Sequence, residues 1–297
     1  MVRVRHILHP IHTFNSFFRR LWNRQYAQIG LYRIHLPWNS QWLSYRRRFR
    51  LQDSVLGRIA SVLKVKYPSL YAVDVGANVG DTAALIRESG EIPVLCVEGD
   101  PVVLKLLREN VARMGPGVAI EPSFVGPDGN GVNLNSAVDL GRNASIIRAA
   151  DPSGPVRLRS LRAILTDHPE FARPKLLKTD TEGFDFEIIR QSIDLIRSAK
   201  PAVFFEYNPN FRPEEPHAGI ETIQALIGAG YSHFIYYDNY GNFLLHCDAS
   251  NGSAINDLDA YLGSNHRHGA AVLYFDICAL HQDDADLLPK IKSCTQR

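Results

Sequence analysis

The chain has 297 residues, 45% of them hydrophobic, and a formal net charge of +2. That is enough apolar material for one sizeable α/β domain and marginal for two, and the near-balance of charge gives no reason to expect nucleic acid as the main partner. Cys96, Cys247, Cys278 and Cys294 lie far apart and form no C-x-x-C, which argues against a disulfide framework or a cysteine zinc site and fits a reducing cytoplasm.

The charge is unevenly placed. Residues 1–50 carry ten arginines, and the first acid is Asp53. Such a segment suits an anionic membrane surface or an acidic glycan. Phe14, Phe17, Phe18 and Leu21 recur at helical spacing. They predict either a surface helix resting on a membrane or partner, or a helical extension packed on its own core. The packed extension is favoured, because such stripes usually face a core. His9, Pro10, His12 and Asn15 break up any signal-peptide region, and no apolar run reaches the roughly eighteen residues of a transmembrane helix. The expected location is cytoplasmic, with peripheral contact at the inner membrane surface left open.

From residue 53 onward, helices and strands alternate. A helix is expected at 53–66, with Ser54 as its cap and Pro68 beyond its end. A strand at 71–75, a helix at 81–89, a strand at 93–97, a helix at 101–113 and a strand at 118–124 follow. Pro101 stands at a helix start, where its missing N–H costs little. Residues 126–160 are rich in Gly, Asn, Pro and Ser and read as a long irregular insertion, with a hairpin near 156–160. Alternation resumes with a helix at 160–167, a strand at 175–180, a helix at 184–197, a strand at 201–206, a helix at 219–229 and a strand at 232–237. Tyr240-Gly241-Asn242 reads as a hairpin turn into a strand at 243–247; a helix at 256–262 and a strand at 271–278 complete the pattern. Such alternation implies a mostly parallel sheet covered on both faces. Residues 51–297 then form one domain behind an N-terminal extension of 1–50.

The stretch 71–100 carries the strongest functional signal. An apolar run ends in Asp74, turns through Gly76-Ala77-Asn78-Val79-Gly80, and opens a helix at Asp81-Thr82; a second apolar run ends in Glu98-Gly99. Strand, glycine turn, helix, strand and acid form a nucleoside-binding crevice. A pyrophosphate-binding turn wants glycine where Asn78 stands. The turn therefore suits a nucleoside without a diphosphate, with S-adenosylmethionine the leading candidate. Asp74 is placed to orient the turn and face the ligand's positive end. The N–H groups at Asp81-Thr82 are placed for its carboxylate, and Glu98 for ribose hydroxyls.

Two further strand ends are acidic. Lys178-Thr179-Asp180-Thr181-Glu182-Gly183 would put carboxylates beside a transferring methyl, with Asp180 accepting or orienting the proton of an attacking hydroxyl and Glu182 as second candidate. The competing reading is a salt-bridged strand end in which Lys178 neutralises the acids. Glu206 and Asn208 lie at the next tip. With Asp180 they would make either an oxygen-ligand metal site or, as favoured, a polar rim of the substrate pocket. His217 is a reserve general base, and His266 and His268 are more readily exposed loop residues than metal ligands.

Together, VDVGANVGDT, CVEGDP, LLKTDTEGFDFEII, KPAVFFEYNP and YFDICAL resemble the FkbM-type S-adenosylmethionine-dependent methyltransferases over about residues 71–280; the Asn143-Ala144-Ser145-Ile146 segment is also similar. The resemblance implies a Rossmann-like class I methyltransferase fold: an α/β, mostly parallel seven-stranded sheet with helices on both faces and an antiparallel last strand. It implies S-adenosyl-L-methionine as cofactor and O-methylation of a hydroxyl on a sugar, glycan or secondary metabolite. The candidate cofactor residues are Asp74, Gly76, Ala77, Asn78, Gly80, Asp81, Thr82, Glu98 and Gly99, and the candidate catalytic residues are Asp180 and Glu182. Three features depart from the family pattern: Gly99 where proline is common, Arg162 in place of a common aspartate, and residues 1–50 altogether. A nicotinamide-dependent oxidoreductase and a non-catalytic, membrane-associated scaffold are the alternatives.

Overall fold

The computed structural model describes residues 25–36, 54–127, 129–132, 156–265 and 272–296. The aromatic stripe at 14–21, the 143–146 segment and the loop holding His266 and His268 lie outside them. Within residues 1–50 the spacing signals only a helix, yet Gln25–Ile29 (β1) and Tyr32–Leu36 (β2) pair as an antiparallel hairpin. Ala27, Ile29, Ile34 and Leu36 are buried in the same core as the following helices. The pattern is short and is cut by Arg33 and His35, so its alternation emerges only against that core.

The main elements follow in order: Ser54–Lys66 (α1), Ala72–Val75 (β3), Asp81–Glu88 (α2), Val94–Val97 (β4), Pro101–Met114 (α3) and Val118–Glu121 (β5). The strand expected at 118–124 is broken. Phe124–Val125 (β6) leaves the main sheet and pairs with Val156–Arg159 (β8), which also pairs with Gly129–Val132 (β7). Then come Leu161–Asp167 (α4), Leu176–Thr179 (β9), Asp185–Gln191 (α5), Ile193–Ala199 (α6), Ala202–Tyr207 (β10), Ala218–Gly228 (α7), Tyr231–Asp238 (β11), Phe243–Asp248 (β12), Gly252–Asn265 (α8), Phe275–His281 (β13) and Leu288–Thr295 (α9). The helix expected at 184–197 is two helices, separated at Ser192.

The main sheet has eight strands in the order β12-β11-β13-β10-β9-β3-β4-β5, not seven. The additional strand is β12, which pairs antiparallel at the edge with β11. β5, β4, β3, β9 and β10 run parallel, and β13 is inserted antiparallel between β10 and β11. Two apolar layers cover the faces. One holds Leu56, Ala84, Leu107 and Ile291 of α1, α2, α3 and α9; the other holds Ile164, Ile189, Ile223 and Leu262 of α4, α5, α7 and α8. Both faces of the central strands are therefore dry, which is why β3, β4 and β9 read as unbroken buried runs.

Candidate active site

The chain runs β3, β4, β5 to one side of β3, then returns to lay β9 and β10 on the other. The order reverses between β3 and β9, and ligands of open α/β sheets bind at the carboxyl ends of the strands at such a point. The turns from β3 and β9 meet here. Asp180 donates its backbone N–H to Val75 O (3.1 Å), and Gly76 and Ala77 donate theirs to Val97 O (3.0 and 3.1 Å). Gly76 has φ +73°, and a Cβ at that position would sit 2.0 Å from the Asp180 carbonyl oxygen. Glycine is needed so that two backbones can touch.

Asn78 is exposed, adopts the left-handed region (φ 48°), and points its N–H at Glu98 Oε2, 3.0 Å away. Glu98 Oε1 accepts from the backbone N–H of Asp100 at 2.8 Å. Burial pushes the Glu98 carboxyl above its ordinary range, and the backbone donors of Asp100, Asn78 and Gly99 oppose that shift. The carboxylate thus sits partly open at the β4 tip, fixed by peptide groups, with lone pairs left for a vicinal diol. Asp100 then caps α3 by accepting from Val102 N and Val103 N. A Cβ on Gly99 would fall 2.3 Å from the Phe124 ring. The departure from proline has a physical reason, because the ring at β6 occupies that space.

The other expected cofactor residues serve as support. Asp74 is 0% exposed. Its Oδ2 accepts from Thr82 Oγ1 at 2.5 Å and its Oδ1 lies 2.9 Å from Lys178 Nζ, so its charge is spent inside the protein and not on a ligand's positive end. Lys178 also donates to Gly76 O at 3.0 Å. Burial pulls the Lys178 ammonium down, and the charges of Asp74 and Asp180 more than reverse this and hold it above its usual value. Ala77 and Gly80 are buried. Asp81 is buried beside Lys178 and Asp74, its carboxyl pushed up by desolvation. Thr82 gives its hydroxyl to Asp74. Asn110, not singled out in the sequence, completes the turn: its Nδ2 donates to Val79 O (2.8 Å) and His35 O (2.9 Å), tying the turn to the hairpin.

On the β9 side the Asp180 side chain is 53% exposed and its Oδ2 lies 3.9 Å from Lys178 Nζ. Glu182 adopts φ +54°, and burial, then the neighbouring charges of Asp180 and Asp185, push its carboxyl up to about 7. Asp185, at the start of α5, accepts from Thr181 N at 3.2 Å; burial and Asp180 raise it to about 6. Lys178 pairs closely with Asp74 and only loosely with Asp180, whose side chain keeps an open face. Asn208 turns its amide oxygen back to Asn210 N at 3.2 Å, leaving Glu206 as the polar residue of that tip. His217 is exposed in the turn before α7, and Arg162 is exposed on α4. Among the described residues no group of three His, Cys, Asp or Glu side chains is arranged to hold a metal ion.

A doubly wound sheet with a glycine turn, an acid fixed by peptide groups at the β4 tip and an open carboxylate at the β9 tip has the form of a ligand crevice at a topological switch point. The model of the methyltransferase FkbM domain matches residues 74–233, over half of the chain, and the chain belongs to that family of S-adenosyl-L-methionine-dependent methyltransferases. Its fold is the Rossmann-like class I methyltransferase fold, and its cofactor is S-adenosyl-L-methionine. Among solved structures it is similar to an FkbM methyltransferase from Methylobacillus flagellatus (16% identity, TM-score 0.41), covering 56% of this chain and 40% of that one. It spans less than half the length of that relative. It is also similar to the precorrin-6y C5,15-methyltransferase of Geobacter metallireducens (12%, 0.39, covering 76% and 86%). A third likeness is the fibrillarin of Aeropyrum pernix with natively bound S-adenosyl-L-methionine (11%, 0.35, covering 56% and 58%). No curated protein matches the chain in sequence.

Proposed function

We propose that the chain is an O-methyltransferase that transfers the methyl of S-adenosyl-L-methionine to a hydroxyl of a sugar, glycan or secondary metabolite. The observation that carries this reading is the open Asp180 carboxylate at the β9 tip, held by backbone contact against the β3 turn. The donor set fits the cofactor. Glu98 would hold the ribose hydroxyls, and the backbone of Gly76–Gly80 would line the remainder, while Asp74, Thr82 and Lys178 keep the turn in shape. The cofactor supplies an activated methyl on a sulfonium.

Asp180 takes up or orients the proton of the acceptor hydroxyl, and Glu182, poised near neutrality, is the second acid–base group. Holding the two reactants in line contributes roughly 7–11 kcal/mol; a general base contributes about 10²–10⁴-fold in rate. Positioning is therefore the larger share of the work. Mass spectrometry of glycans, lipids and small metabolites from cells with and without the gene tests the reading. A species heavier by one methylene, present only with the gene, supports it. Tight cofactor binding with no such species in any extract would favour a non-catalytic scaffold.

Peripheral contact with an anionic membrane is part of the proposal. It rests on the ten arginines of residues 1–50 and on Leu31, which stands 92% exposed at the tip of the β1–β2 hairpin. No helix among the described residues is long and apolar enough to cross a membrane. Sedimentation with phosphatidylserine vesicles, lost at high salt, checks it; equal binding to neutral vesicles would remove the electrostatic argument.

A further inference from the structure

The β1–β2 hairpin is bound to the glycine turn through one side chain. Asn110 of α3 is 0% exposed and spends its whole amide. Its Nδ2 donates to His35 O (2.9 Å) and Val79 O (2.8 Å), and its Oδ1 accepts from His35 N (2.8 Å). Two carbonyls and one N–H fix which end of the amide faces which partner. By taking both backbone groups of His35, the side chain does for the outer edge of β2 what a third strand would do. Glu109, its neighbour on α3, holds the ring: its Oε2 lies 3.0 Å from His35 Nδ1.

From Asn110 the bonds run on through the turn. The Val79 carbonyl belongs to the same peptide group as the Gly80 N–H, which donates to Ala77 O at 2.8 Å. The Ala77 carbonyl belongs in turn to the same peptide group as the Asn78 N–H, which donates to Glu98 Oε2 at 3.0 Å. Three hydrogen bonds and two peptide groups thus link Asn110 to the Glu98 carboxylate. All donate in one direction, so each strengthens the next. The turn needs such holding. Gly76, Asn78 and Gly80 have φ +73°, +48° and +87°, and a non-glycine residue keeps a left-handed backbone only where its surroundings enforce it.

We propose that Asn110 is a positioning residue that couples the β1–β2 hairpin to the glycine turn, so that docking of the hairpin and binding of S-adenosyl-L-methionine favour one another. The inference rests on the reading that puts the cofactor against this turn and Glu98, and it adds the N-terminal hairpin to the parts that set cofactor affinity. Loss of the Asn110 bond frees the Val79–Gly80 peptide, and with it the Asn78 N–H that fixes Glu98. In return, a cofactor that holds Glu98 and the turn tightens the grip on His35, because coupling between two sites acts equally both ways.

The test pairs calorimetric titration with hydrogen exchange on the full chain. Asn110→Ala should bind S-adenosylhomocysteine on the order of ten-fold more weakly than wild type. In the wild type, S-adenosylhomocysteine should slow exchange of the amides of residues 25–36 on the order of ten-fold; in the variant that slowing should vanish. Asn110→Asp keeps the shape and the acceptor for His35 N but gives up both N–H donors, and it is measured the same way if Asn110→Ala does not fold. Ile291→Ala is the control, since it lies in the same core on α9, which packs against α1. It should melt earlier and keep both the affinity and the slowing. Full affinity in the Asn110 variants, or hairpin exchange in the wild type that is indifferent to S-adenosylhomocysteine, overturns the proposal. So does an equal loss in Ile291→Ala, because the effect would then be a general softening. A wild-type chain that binds S-adenosylhomocysteine no better than Glu98→Gln brings down the placement of the cofactor instead, and one that binds none brings down the methyltransferase reading.

Discussion

Lys178 and Asp74 form an ion pair 2.9 Å long, with side chains 3% and 0% exposed, and it joins β9 to β3 at the point where the strand order reverses. Two charges withdrawn from water carry a heavy desolvation cost, which close contact and further hydrogen bonds offset. Here Thr82 and the Gly76 carbonyl supply those bonds. The pair thus holds together the two turns that flank the switch point.

Removing one partner strands the other. Lys178→Met should destabilise the fold by about 3–5 kcal/mol, read as a lower midpoint in urea denaturation. Adding Asp74→Asn should recover much of that loss, because the isolated buried charge is then gone. A single variant as stable as wild type would show that the pair contributes little.

Gly76→Ala places a methyl against the Asp180 carbonyl at a backbone angle that L-residues avoid. Local strain of about 1–3 kcal/mol is the minimum expected, with a lowered melting temperature and weakened S-adenosylhomocysteine binding. The loss comes from pushing the β3 and β9 turns apart, not from a side chain filling the crevice. Unchanged melting and binding would contradict the close approach.

Glu98→Gln keeps size but loses the negative charge. Binding of S-adenosylhomocysteine should weaken by about 1.5–3 kcal/mol, the range for hydrogen bonds to a charged group, measured by titration calorimetry. Full affinity in this variant would mean that the carboxylate only ties Asn78 to Asp100.

Asp180→Asn should lower kcat by about 10²–10⁴-fold once an acceptor is in hand, with S-adenosylhomocysteine affinity retained. A parallel loss of cofactor affinity would assign this residue to binding and not to the reaction.

Glu182, pushed up to about 7 from its ordinary 4.5, and Asp185, pushed up to about 6 from 3.8, hold protons in the folded protein that the unfolded chain gives up earlier. Their contribution to stability is complete below the unfolded values and disappears as pH rises through the folded ones. Stability should therefore fall between about pH 3.8 and about pH 7 on their account. Glu182→Gln should flatten that fall, as seen by denaturation at several pH values. An unaltered pH profile would place Glu182 in water.

Much of the site was legible in the sequence because its parts are local. The strand, the glycine turn, the helix start and the acid after β4 all lie within residues 71–100, and Asn78 alone sets this turn apart from a diphosphate-binding one. The Asn78–Glu98 hydrogen bond, which the sequence did not announce, closes that unit. Asp74 shows the limit of such reading. Its place at a strand end suggests a ligand contact, yet its charge is spent on a lysine 104 residues away in sequence, and nothing near Asp74 in the chain signals that. Asn110 was missed for a similar reason: in sequence it is one polar residue within an amphipathic helix, and its role appears only where that helix meets the turn and the hairpin.

The order of apolar runs and turns by itself determined a mostly parallel sheet with helices on both faces, the position of the glycine turn and the acids at strand tips, because hydrophobic period and glycine placement act over a few residues. Tertiary structure decided which of those acids are open and which are spent, that a β-hairpin packs against the helices beside the glycine turn, that an eighth strand closes one edge, and that Glu206 stands buried near other carboxylates. Those outcomes depend on which distant side chains arrive at the same place and on how far water is excluded there, and neither is written in any single stretch of the chain.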